Sequence, residues 1–256
     1  MNDFNPAYAR GQSRPLDMSV DAGLRAFMLG VYNKMAAGLV LSAILAYVVG
    51  TVAPVTAAVL TPPMIYVVQF GPIVLLLGSM AFMRNPSPIG SAVLYWAVVA
   101  LIGAGLGVWV FLATNGIAAE TRGGQHLSIT FTNIARAFMI TAAAFGGLSL
   151  YGYTTKRDLS GIHSFAIMAI WGLLLVGIVN MIFPSGVMEI AIQAIGLILF
   201  SVLVATQTQT LKTSYYRFGG DQRSLAVVTN YGALNLYIAF VQIFQFLLMF
   251  LGGSRD

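Results

Sequence analysis

Residues 159–211 read LSGIHSFAIMAIWGLLLVGIVNMIFPSGVMEIAIQAIGLILFSVLVATQTQTL. This stretch decides the fold. It holds one charged side chain, Glu189, and one break, Pro184-Ser185-Gly186. An α-helix needs about 20 mainly apolar residues to cross the hydrocarbon core of a bilayer, and the run on each side of the break is long enough. Helices of soluble domains keep a polar face for water. The stretch is therefore expected to form two membrane-spanning helices, about 162–183 and 187–210.

The same pattern extends outward. Charge-free runs cover 35–83, 85–119, 137–155 and 224–254. Breakers at Pro54, Pro62-Pro63, Arg84-Asn85-Pro86 and Asn115-Gly116 divide them. Five more helices follow, about 28–52, 64–83, 90–113, 134–154 and 225–251, with a polar loop from Glu120 to Asn133. Composition agrees: 58% of residues are hydrophobic and 8% charged, against about 25% charged in soluble domains, and mean hydropathy is +0.84. The expected fold class is an all-α, polytopic integral membrane protein. A seven-transmembrane-helix bundle would occupy residues 28–252 behind a polar cytoplasmic segment, 1–27. The lipid bilayer is its first partner.

The basic residues set the expected orientation. With the N-terminus inside, cytoplasmic segments hold Arg10, Arg14, Arg25, Lys34, Arg84, Lys156, Arg157, Lys212, Arg217 and Arg223. The other side holds Arg122, Arg136 and Arg255. Ten against three is a positive-inside bias. A re-entrant last helix would move Arg255 inside, and charge counting does not separate that case from a full span. The net charge of +5 is then a membrane signature, and no nucleic-acid partner is expected. The first 27 residues lack the apolar core of a cleaved signal peptide, so the first helix is expected to serve as its own insertion signal. There are no cysteines, which excludes disulfides and thiolate metal sites.

Few side chains could carry chemistry. An ionisable group inside a membrane is a functional candidate by default. Glu189, Arg136 and Lys34 all fall near helix ends, where a charge reaches headgroups or the helix dipole. His163 follows the loop Lys156-Arg157-Asp158, and His126 has no second ligand near it, so no metal site is expected. HExxH, GxSxG and P-loop patterns are absent, so neither enzymatic activity nor a cofactor is expected. Small residues recur at a spacing of four: Gly38, Ser42, Ala46 and Gly50, then Gly103 and Gly107, then the pairs Ala142/Gly146 and Ala143/Gly147. Such faces let membrane helices approach closely. Packing within one bundle is the expected use, with a dimer seam as the alternative; the oligomeric state is left open. The richest polar stripe is on the last helix, where Tyr231, Asn235, Ala239 and Gln242 share a face. The run Thr206-Gln207-Thr208-Gln209-Thr210 ends the sixth helix. Such groups either line a hydrated path or hydrogen-bond between helices.

Four stretches carry a family resemblance: Leu24–Met35 (LRAFMLGVYNKM), Ile140–Ser160 (ITAAAFGGLSLYGYTTKRDLS), Thr206–Lys212 (TQTQTLK) and Gly232–Phe240 (GALNLYIAF). The chain resembles the Bax inhibitor-1 family, in its bacterial branch, over roughly residues 22–251, with the Glu120–Asn133 loop as an insertion. The resemblance implies a seven-helix membrane domain in a bacterial inner (plasma) membrane and a pH-sensitive calcium leak. Eukaryotic relatives are linked to suppression of cell death, and some bacterial ones to a membrane-bound protease. In the family an aspartate precedes Thr-Gln after helix 6, and another follows Leu-Tyr-Leu in helix 7. Laid on Thr208-Gln209 and on Leu236-Tyr237-Ile238, these aspartates fall on Gln207 and Ala239. Two adjacent carboxylates share a proton and so respond to pH; an amide and a methyl group do not titrate. The expectation is a calcium or other cation leak with altered or lost pH sensing. Gln207 and Ala239 are the substituted sensor positions, Asn235, Gln242 and Tyr231 a candidate polar path, and Arg84 a candidate latch for Gln207. The alternative is a non-conducting regulator of membrane proteins such as a membrane protease.

Overall fold

The computed structural model of the chain describes residues 22–82, 85–121, 123–218 and 221–253. Arg84, the candidate latch, and residues 1–21 of the polar N-terminal segment lie outside them. In chain order the elements are α1 (Ala22–Thr51), α2 (Ala53–Val59), α3 (Met64–Phe82), α4 (Pro88–Asn115), β1 (Ala118–Glu120), β2 (His126–Ser128), α5 (Phe131–Thr154), α6 (Ser160–Ile182), α7 (Gly186–Phe218) and α8 (Gln222–Gly252). Seven of these helices are long and apolar enough to span a membrane. The protein is an all-α polytopic membrane protein.

The punctuation works as its chemistry predicts. Pro54 occupies the first turn of α2, where a missing N–H costs nothing. Ser87 caps α4 by accepting from the Gly90 amide at 3.0 Å, and Gly116 ends it in the left-handed region at φ 60°, a conformation glycine adopts freely. Two expectations need correction. The first helix starts at Ala22 rather than near 28, with Arg25 on its exposed side. The sixth membrane helix continues as α7 to Phe218 rather than ending near 210. Its polar run stays helical, and the hydroxyls of Thr206, Thr208 and Thr210 are satisfied by donating to carbonyls three or four residues back.

α1 and α4 run side by side in the same direction. Gly38 faces Tyr95, Ser42 faces Gly103, Val49 faces Gly107 and Gly50 faces Val110. A Cβ at Gly103 would stand 2.7 Å from the Ser42 Cα, so glycine is required for this approach. The stripe on α1 and the GxxxG of α4 are thus a seam within one chain. The α5 pairs are not used this way: Gly146 and Gly147 have nothing within 4 Å of where a Cβ would stand.

α8 is the central helix. Of its apolar stretch 56% is buried, against 6% in α6. Leu234, Leu236, Tyr237, Ile243 and Leu248 have at most 1% exposure. α8 begins beside α1 and α4, where Asn230 meets Lys34 and Ser91. It ends at the far side, where Gly253 bridges to Leu127 of β2. It therefore crosses the whole bundle and does not re-enter.

The Glu120–Asn133 segment is not a plain loop. β1 and β2 pair antiparallel, Ala119 opposite Leu127, and Gly124 turns the hairpin at φ 81°. Strands of three residues show no readable alternation, so sequence periodicity could not reveal them. The hairpin is held from outside: Leu127 and Ile129 are buried, and Thr121 Oγ1 donates to Glu189 Oε2 at 2.7 Å. Glu189 thus anchors the hairpin to the start of α7.

Candidate functional site

A cavity of about 210 Å³ opens between α6, α7 and α8. It lies at the end of the bundle that carries Arg25, Lys156, Arg157 and Arg217, away from the hairpin. Its walls include His163 from α6, Gln207, Thr210 and Ser214 from α7, and Tyr231 and Asn235 from α8. The three helices bring these polar groups together because α7 keeps its helical course through the Thr-Gln run.

The members of that run have different partners. Thr206 Oγ1 lies 3.0 Å from His163 Nδ1. Thr208 Oγ1 shares a 3.1 Å hydrogen bond with Ser149 of α5, and Ser149 in turn bonds the Tyr32 hydroxyl of α1. Gln209 clamps the α5–α6 connection: its Oε1 accepts from the Leu159 amide at 2.8 Å and its Nε2 donates to the Arg157 carbonyl at 2.7 Å. Gln207 differs from all of these. Its Oε1 is buried and has no hydrogen-bond partner among the described residues. A buried acceptor without a donor is costly, and buried polar groups are nearly always paired. Gly152 allows α5 to come close enough for these contacts, since a Cβ there would collide with the Ala205 carbonyl.

The polar stripe expected on α8 is broken. Tyr231 and Asn235 line the cavity, but Ala239 does not. Ala239 is 1% exposed and belongs to the apolar core with Phe145, Val204 and Phe240. Gln242, half-buried one turn further on, is not on the cavity either. The structure therefore brings Gln207 together with Tyr231 and Asn235, and leaves Ala239 and Gln242 apart.

A second polar cluster joins α1, α4 and α8. Lys34 Nζ donates to Asn230 Oδ1 and lies 5.3 Å from the centre of the Tyr95 ring, a cation–π distance. Asn230 Nδ2 donates to Ser91 Oγ at 2.8 Å and to the Pro88 carbonyl at 3.0 Å. The Tyr95 hydroxyl donates to the Lys34 carbonyl at 2.6 Å. About two turns along the seam, Ser42 and Tyr237 share a 2.6 Å bond. Lys34 thus turns inward; the expectation that it snorkels to headgroups is overturned, because α1 begins two turns earlier than its charge pattern suggests. Lys212 is buried, with 8% exposure, and donates to the Tyr153 carbonyl at 2.7 Å. Asn230 and Ser91 had no sequence signal of their own, since a lone polar residue in an apolar run looks alike on either face. Among the described residues no group of three or more His, Cys, Asp or Glu side chains could hold a metal ion.

With this geometry in place, similarity to known proteins identifies the scaffold. The profile of the family described as "Inhibitor of apoptosis-promoting Bax1" matches residues 24–256. An uncharacterized protein of Caulobacter vibrioides is 47% identical over the full length of both chains. A protein of Rickettsia prowazekii is 33% identical over 92% of this chain and 93% of its own. The Escherichia coli protein named "Inner membrane protein YbhL" is 32% identical over 91% of this chain and 94% of its own. A seven-span bundle matched along nearly its whole length leaves one conclusion: this chain belongs to the Bax inhibitor-1 family.

Proposed function

We propose that this protein is a cation leak of the bacterial inner (plasma) membrane, passing calcium or another cation without the proton-sensing carboxylate pair of its family. Gln207 carries the reading. It stands where the family has an aspartate, its side chain lines the cavity, and its buried oxygen has no hydrogen-bond partner among the described residues. Ala239, at the second aspartate position, offers no titratable group. A leak built on this site keeps a polar entry but has no shared proton to open or close it. The excess of basic residues in the segments on the same side as the N-terminus, ten against three, supports an N-terminus on the cytoplasmic side.

The test is cation flux into liposomes holding the purified protein, measured from acidic to alkaline pH. A leak whose rate is nearly flat with pH is expected. Gln207→Asp combined with Ala239→Asp should restore a pH-dependent rate. Absence of cation flux at every pH would sink the reading.

One observation favours a second reading, a non-conducting regulator of a membrane protein such as a protease. α6 packs along α7 with a single buried residue, Ala166, which leaves a long apolar face for another membrane helix. Affinity capture from detergent-solubilised membranes should then recover a stoichiometric partner that is lost when Ile167 and Trp171, both exposed on α6, are changed to alanine.

A further inference from the structure

Resting on the cation-leak reading, we infer that the cavity between α6, α7 and α8 takes monovalent cations in preference to Ca²⁺. The oxygens on its wall belong to Gln207, Thr210, Ser214, Tyr231 and Asn235. All are amide or hydroxyl oxygens. Ca²⁺ binds six to eight oxygens and is usually held by carboxylates.

No carboxylate on the three helices is placed to help. Glu189 sits 18 residues before Gln207 on α7, about 27 Å along a helix, and is engaged by Thr121. Asp158 accepts from the Ser160 amide at 2.9 Å. Asp221 accepts from the Arg223 amide at 3.0 Å and from the Ser224 hydroxyl. His163, the nearest side chain that can gain a proton, could add only positive charge.

The cost of dehydrating an ion rises with the square of its charge, so it is about four times larger for a divalent ion of the same size. Neutral oxygens can compensate that cost for a monovalent ion, as rings of backbone carbonyls do in potassium filters. They lack the negative charge a divalent ion requires. The Gln207 side chain forms part of this wall.

The experiment loads liposomes containing the full chain with indicators for Na⁺, K⁺ and Ca²⁺ and compares initial rates under equal gradients. In parallel, the melting temperature of the detergent-solubilised protein is measured in NaCl, KCl, CaCl₂ and choline chloride. The expected result is Na⁺ or K⁺ flux faster than Ca²⁺ flux, and a higher melting temperature in NaCl or KCl than in choline chloride. Gln207→Leu should lower the monovalent flux roughly tenfold and remove the thermal shift. Gln207→Asp should raise the share carried by Ca²⁺.

Ca²⁺ flux equal to or faster than monovalent flux would overturn the inference and leave the leak reading standing. Monovalent flux unchanged in Gln207→Leu would overturn it too. Absent flux with a thermal shift that depends on Gln207 would defeat the leak reading and uphold the site. Absent flux and absent shift would defeat both.

Discussion

Gln207 and Gln209 are chemically identical and two residues apart, yet only one has its hydrogen bonds satisfied. Two residues on an α-helix turn through about 200°, so Gln209 reaches the α5–α6 connection while Gln207 faces the cavity. Gln209→Ala should free the Leu159 amide and the Arg157 carbonyl. The expected loss is about 1 kcal/mol of stability, read as a lower melting temperature and faster hydrogen exchange at residues 157–160. The Lys34 cluster makes a similar prediction. Lys34→Met keeps the length of the side chain but removes its bond to Asn230, which retains Ser91 and the Pro88 carbonyl. Bonds between membrane helices average about 0.6 kcal/mol, so a small drop in melting temperature is expected, with no change in cation selectivity. Outside the spans, Asp221 caps α8. The Ser224 hydroxyl bonded to it holds its carboxyl below the usual carboxylate range. A depressed carboxylate contributes its stability above the unfolded value of about 3.9 and loses it as pH falls through the folded value. Ser224→Ala should move the Asp221 titration upward towards that value, as followed by carboxyl NMR shifts, and should lower stability slightly at neutral pH while leaving it unchanged at pH below the folded value.

At the scale of the elements, the helices differ in how much of their small-residue faces they use. Gly103 lies against the Ser42 backbone, and a leucine there forces α1 and α4 apart. Gly103→Leu should destabilise by about 1–3 kcal/mol, the usual cost of overpacking. Gly146 has open space instead, so Gly146→Ala should leave the melting temperature unchanged or raise it, since alanine favours the helix by up to about 1 kcal/mol. Measured in one detergent, only Gly103→Leu should lower the melting temperature; equal losses would contradict the seam described here.

For the whole molecule, the central position of α8 has a topological consequence. It starts near Lys34 and ends on the hairpin at Leu127, so residues 22 and 253 lie at opposite ends of the bundle. Tags at the two termini should be reached from opposite faces of the membrane in a protease or labelling assay. Protection of both tags from the same side would contradict a full crossing by α8. The hairpin caps this far end through Leu127, Ile129 and the Thr121–Glu189 bond. Glu189→Gln should therefore loosen the hairpin without altering the cavity near Gln207, about 27 Å away.

The sequence by itself determined the membrane class, the seven long helices and the family, because each rests on local properties. A charge-free run of sufficient length has few other stable conformations, and the proline and glycine breaks mark its ends. That Gln207 and Ala239 carry no titratable group was also legible, since it needs only the identity of two residues. Other features depended on the tertiary structure. Whether α8 crosses or re-enters was open to charge counting, because moving Arg255 changed the bias too little to decide. The fate of the stripe Tyr231–Asn235–Ala239–Gln242 was also open, because a shared helix face does not say which neighbours cover it. The fold turns its first two members into a polar cavity and packs Ala239 into the core. Hydrogen bonds such as Lys34–Asn230 and Ser42–Tyr237 join residues about 195 positions apart. Only the packing of helices brings such pairs within reach, so no local pattern could announce them.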